Sequence, residues 1–102
     1  MRYNNHLRII WLKSCMKDFK NLNEEEFIFV NNKLERVLLD LIQNTSHVKG
    51  TQLRRLRVGS KRLFLRIIED KVYCVGYKKR DNAYNQGQLK EMDKIIRNIF
   101  QE

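Results

Sequence analysis

The spacing of apolar positions changes period halfway along this chain. From Asn23 to about Asn44 they recur at helical intervals, at Phe27, Val30, Leu34, Val37, Leu38 and Leu41, with Lys33, Glu35, Arg36 and Asp40 off the stripe. Asn23 followed three residues later by Glu26, with Leu22 and Phe27 flanking, has the form of a capping box with a hydrophobic staple. From Gln52 onward the period is two. It predicts strands over residues 52–58, 62–69 and 71–79, turning at Gly59-Ser60 and at Glu69-Asp70-Lys71. Ahead of these, Arg8 to Leu12 reads as a first strand, and Ser14 is placed as the cap of a short helix carrying Met16, Phe19 and Leu22. A final amphipathic helix over 86–100 presents Leu89, Met92, Ile96, Ile99 and Phe100 on one stripe. The predicted architecture is α+β in the order β-α-α-β-β-β-α, an antiparallel sheet with its helices on one face.

Composition narrows the class. The 102 residues make one domain over 1–102, with a polar lead-in at 1–7 and the last helix within 86–102. An apolar fraction of 42% with 32% charged residues is that of a soluble globular chain and excludes disorder. No apolar run approaches the roughly 20 residues of a membrane span, and no signal-peptide core is present, so no membrane partner and a cytoplasmic location are expected. Cys15 and Cys74 are far apart and form no CxxC, which predicts two buried or half-buried thiols in a reducing cytoplasm. His6 and His47 belong to no cluster with ligand spacing, so neither metal nor cofactor is expected. Asp18, Asp40 and Asp93 read as helix surface charge, and no paired-carboxylate site emerges.

Charge gives the first functional direction. Lys49 to Arg80 holds eleven basic residues against Glu69 and Asp70, and the rest of the chain cancels, so this stretch carries the whole formal charge of +9. Alternation sets Arg55 and Arg57 opposite Leu56 and Val58, and sets Arg62, Phe64 and Arg66 opposite Leu63, Leu65 and Ile67. With helices over the apolar face, the cations line the uncovered one, with Phe64 between them. Like charges side by side on paired strands repel, a cost that points to a polyanionic partner. Cations interleaved with aromatics suit RNA phosphates and unpaired bases.

The residues Val48-Lys49-Gly50, Arg55-Leu56-Arg57-Val58-Gly59 and Arg62-Leu63, then Arg80 with Tyr84 four residues later, carry a further signal. Over roughly residues 8 to 85 the chain resembles the RelE/ParE superfamily of toxin–antitoxin systems. Its RelE-like members are ribosome-dependent endoribonucleases that cut mRNA and inhibit translation; ParE-like members share the fold and inhibit gyrase. The resemblance implies a RelE-like fold and metal-independent cleavage by 2′-hydroxyl attack. It implies Arg62 as the group stabilising the charged phosphate, Arg80 near the leaving oxygen, and Tyr84 as base or stacking residue. It further implies RNA contacts at Arg55, Arg57, Phe64, Arg66, Lys79 and Lys49, with mRNA, the ribosome and a small acidic cognate antitoxin as partners. Free tyrosine titrates near 10 and arginine above 12, so both roles need a strongly cationic site or the ribosome's help. Lys79 stands where many relatives carry histidine, which excludes histidine-dependent proton transfer there. Two alternatives stay open: a ParE-like gyrase inhibitor, and a non-catalytic nucleic-acid-binding module of the same fold. Retention of Arg62, Arg80 and Tyr84 favours the nuclease.

Overall fold

A computed structural model describes residues 7–20, 22–79 and 85–101. β1 (Arg8–Trp11) leads into α1 (Lys13–Phe19) and α2 (Glu24–Val37). A single 3-10 turn (Leu38–Asp40) and a short α3 (Leu41–Asn44) follow. Next come β2 (Ser46–His47), β3 (Arg54–Val58), β4 (Lys61–Ile68) and β5 (Lys71–Lys79), then α4 (Gln86–Phe100). The predicted α+β class and element order are observed, with β2 added and the long helix broken at Leu38. Among the described residues no helix is long and apolar enough to cross a membrane.

Local chemistry explains the starts and turns. The Asn23 side chain accepts the Glu26 backbone N–H at 2.9 Å and so caps α2, with Glu24, Glu25 and Glu26 in its first turn. The 3-10 turn tightens the helix so that Leu38 still packs on the core and Leu41 is fully buried. Two two-residue turns join the hairpins, and each uses a left-handed backbone: Gly59 at φ +60° and Glu69 at φ +55°.

The sheet runs in the order β1-β5-β4-β3-β2. Hairpins force β3, β4 and β5 to be antiparallel, and β2 pairs antiparallel with β3. β1 pairs parallel with the first half of β5. The sheet is therefore mixed rather than wholly antiparallel, because β1 meets β5 only after a helical crossover.

The expectation of helices on one face is also corrected. One face buries Leu56, Val58, Leu63, Leu65, Val72, Cys74 and Tyr77 against Cys15 and Phe19 of α1, Val30 and Leu34 of α2, and Leu41. The other buries Phe64, Tyr73 and Val75 under Leu89, Met92 and Ile96 of α4. A register shift pairs Phe64 with Gly76 and Leu65 with Cys74, leaving Val75 as the extra residue of a bulge. Val75 and Gly76 thus both turn toward α4, the first as core and the second as a gap. A Cβ at Gly76 would overlap the Met92 sulfur.

Past Trp11 and Cys74, β5 loses β1 as a neighbour, and α1 takes over. Leu12 N–H continues the ladder to Cys74 O at 3.0 Å. Ser14 Oγ then donates to Val75 O at 2.7 Å, and the Tyr77 N–H donates to Asp18 Oδ2 at 2.8 Å. Side chains of a helix stand in for a missing strand. Ser14 therefore serves β5, while the backbone of Leu12 occupies the cap position of α1.

Candidate nucleic-acid interface

Pairing across the three long strands sets the cations in rows. Arg57 of β3 lies opposite Arg62 of β4, which lies opposite Lys78 of β5. The adjacent row is Arg55, Phe64 and Gly76. The turn between β3 and β4 brings Lys61 opposite Lys79 at the same end. Three of the predicted cations, Arg55, Arg57 and Arg62, are therefore brought together, as alternation required.

Their environments differ. Arg57 and Lys79 are exposed and Arg55 is half-buried. Arg62 is only 3% exposed, and its Nη1 donates to Lys61 O at 2.9 Å and Gly59 O at 3.3 Å. The guanidinium is thus fixed on the carbonyls of the hairpin turn rather than swinging in solvent. Arg66 lies farther along β4, half-buried and opposite Tyr73. Lys49 is exposed in the loop between β2 and β3, away from the row. Arg80 and Tyr84 lie outside the described residues.

Phe64 requires a correction. It is wholly buried beneath α4, so it offers no surface on which a base can stack. Its alternation was read correctly, but the face it points to is covered at that position by the last helix.

Other cations of the block serve the fold. Arg54 Nε donates to Thr45 Oγ1 at 2.7 Å, and its Nη2 donates to Ile42 O and Thr45 O at the end of α3. Lys78 Nζ binds Asp18 Oδ1 at 2.9 Å, and Lys61 Nζ binds Glu26 Oε1 at 2.8 Å. Glu26 Oε1 also accepts the Tyr77 hydroxyl at 2.9 Å. The Lys61 hydrogen bond holds the Glu26 carboxyl below the usual carboxylate range, with help from Tyr77 and against the effect of burial. Burial, then the Glu26 hydrogen bond, pushes the Tyr77 phenol well up, so it stays a donor.

Asp18 and Glu26 are the residues that sequence reasoning missed. Asp18 was read as surface charge, yet it satisfies a strand N–H and a lysine together. The available signal was Ser14 and Asp18 four apart on one face of a short helix, a polar stripe where an apolar one was sought. A groove of about 340 Å³ runs past these groups, lined by Asp18, Lys61, Tyr77, Lys78, Lys79 and Gln88. Among the described residues no cluster could hold a metal ion. Cys15 and Cys74 are free and buried; burial pushes the Cys15 thiol up to about 12 and the Cys74 thiol well above its ordinary value.

No protein-family model matches the chain, and no curated protein matches it in sequence. Solved structures do match. The free RelE toxin of E. coli, a double-arginine mutant, superposes with TM-score 0.64 at 15% identity, over 94% of this chain and 98% of that one. The toxin–antitoxin complex RelBE2 of Mycobacterium tuberculosis gives TM-score 0.61 at 16% identity, over 72% of this chain and 98% of that one. A chromosomal ParDE system of P. aeruginosa gives 0.54 at 8% identity, over 74% and 98%. The fold of this chain is RelE-like.

Proposed function

We propose that this chain, a single domain over 1–102, is the toxin of a type II toxin–antitoxin module. Its activity is ribosome-dependent cleavage of mRNA. The observation that carries this reading is Arg57 facing Arg62 across two strands of a RelE-like sheet, with Arg55 beside them. Such a pairing of like charges is electrostatically costly in the free protein and suits a phosphodiester backbone.

In cleavage, the 2′-hydroxyl oxygen attacks the neighbouring phosphorus while a base removes its proton. The 5′-oxygen leaves after taking up a proton, and negative charge builds on the phosphate between. Arg55, Arg57 and Lys79 hold the strand. Arg62 is 3% exposed with Nη1 on the turn carbonyls, and it turns out from them to stabilise the phosphate with its planar fork. From the resemblance, Arg80 is assigned near the leaving oxygen, and Tyr84 as the base or as a stacking residue. No metal takes part. The ribosome places the reaction in the cytoplasm, and a small acidic antitoxin restrains it; the RelBE complexes among the structural neighbours support such a partner.

The test is a translating extract supplied with wild type, Arg62→Ala or Tyr84→Phe, with mRNA ends mapped. Cuts within codons by wild type, reduced by about 100-fold in each variant, bear the reading out. Intact mRNA with gyrase-linked DNA breaks replaces it by the ParE-like alternative. Salt-dependent RNA binding without cuts replaces it by a non-catalytic binding module.

A further inference from the structure

A second group of cations sits on α4, away from the row on the sheet. Leu89, Met92 and Ile96 face the sheet, so Lys90, Lys94 and Arg97, spaced i, i+4, i+7, occupy the outward surface, and all three are exposed. Beside them lies the β2–β3 loop with exposed Lys49 and with Gly50 at φ +83°. Asp93 of α4 ties that loop down by accepting the Gln52 N–H at 3.1 Å. Helix and loop enclose a groove of about 510 Å³ lined by Gly50, Lys90, Asp93, Lys94, Arg97 and Asn98. A Cβ on Gly50 would meet nothing within 4 Å, so the loop side is open. None of Lys49, Lys90, Lys94 and Arg97 forms an ion pair with a described carboxylate.

We propose that this groove takes the phosphate backbone of double-helical RNA, beside the strand held on the sheet. The inference rests on the RNA reading above for its choice of polyanion. Three features support the duplex. The groove lining contains no aromatic residue, whereas single strands are held by stacking. Its cations span about 10 Å along a rigid helix, a fixed spacing that suits a regular backbone read by shape and phosphate contact. The α4 surface also looks outward from the same face of the sheet as Arg55 and Arg57, so one folded RNA can meet both. A protein partner fits less well, because lysine is depleted at protein interfaces and no apolar anchor lines the groove.

The full chain and its Lys90→Ala/Lys94→Ala/Arg97→Ala variant are titrated against an RNA hairpin of about 20 base pairs, a uridine-rich single strand and an acidic peptide, over a salt series. All three positions are exposed on a helix, so alanine leaves the fold intact. The variant should lose about tenfold or more in hairpin affinity near 100 mM salt, and its log–log salt slope should become shallower by about 2 to 3. Single-strand binding should change less than about twofold. An unchanged hairpin affinity and slope overturns the proposal, as does an equal loss for the single strand. A loss confined to an acidic peptide overturns it in favour of a protein partner. Because binding is read and not cleavage, the result stands whether or not the protein cuts mRNA, which Arg62→Ala in the extract decides separately.

Discussion

Glu26 joins a helix start, a lysine from the sheet and a buried phenol. Its folded pKa lies below the ordinary 4.5, so its contribution is present above that value and is lost as pH falls through the folded one. Glu26→Gln should therefore cost about 1–2 kcal/mol near neutrality. The gap from wild type should narrow as pH falls below 4.5, which urea midpoints at several pH values measure. A second test concerns the thiols. With Cys15 and Cys74 fully buried and their ionisation suppressed, a thiol reagent at pH 8 should titrate neither in the native protein and both in denaturant. At this scale the Asn23 cap was legible because the N–H it accepts is three residues away, whereas the Glu26 carboxylate, expected to complete a capping box, binds Lys61 and Tyr77. The bond from Tyr77 to Glu26 was not, because it spans 51 positions and only the packed fold brings them together.

α4 shows how an element can be read correctly and placed on the wrong side. Its bounds follow from its own apolar stripe, and Asn85 caps it by accepting the Gly87 N–H at 2.8 Å. Its destination depends on β4 and β5, which are apolar on both faces along part of their length, at Phe64, Tyr73 and Val75 as well as at Leu63, Leu65 and Val72. Alternation alone does not say which patch the last helix covers. The bulge at Val75 and the missing side chain of Gly76 make the fit possible. Gly76→Ala should destabilise the protein by about 1–3 kcal/mol through overpacking against Met92. A double mutant with Met92→Ala should cost less than the sum of the two single changes, which a thermodynamic cycle from denaturant melts checks.

For the whole molecule, the stretch from Lys49 to Arg80, most of it sheet, carries the whole formal charge of +9. Screening that self-repulsion should raise the melting temperature by a few degrees between about 50 and 500 mM sodium chloride, while RNA affinity falls steeply over the same range. Scanning calorimetry and a binding titration at matched salt separate the two effects. The grouping of Arg55, Arg57 and Arg62 was legible because register within a hairpin follows from its turn. The diversion of Lys61 and Lys78 to Glu26 and Asp18 was not, since it depends on helices packed from distant sequence. One consequence follows from how the sheet ends. β1 and β2 are four and two residues long, and Ser14 and Asp18 occupy the outward groups of β5 beyond Trp11. The described chain thus offers no long run of open backbone for another polypeptide to zip onto. It resists templated growth into fibrils, and a partner must recognise it through side chains rather than by extending the sheet.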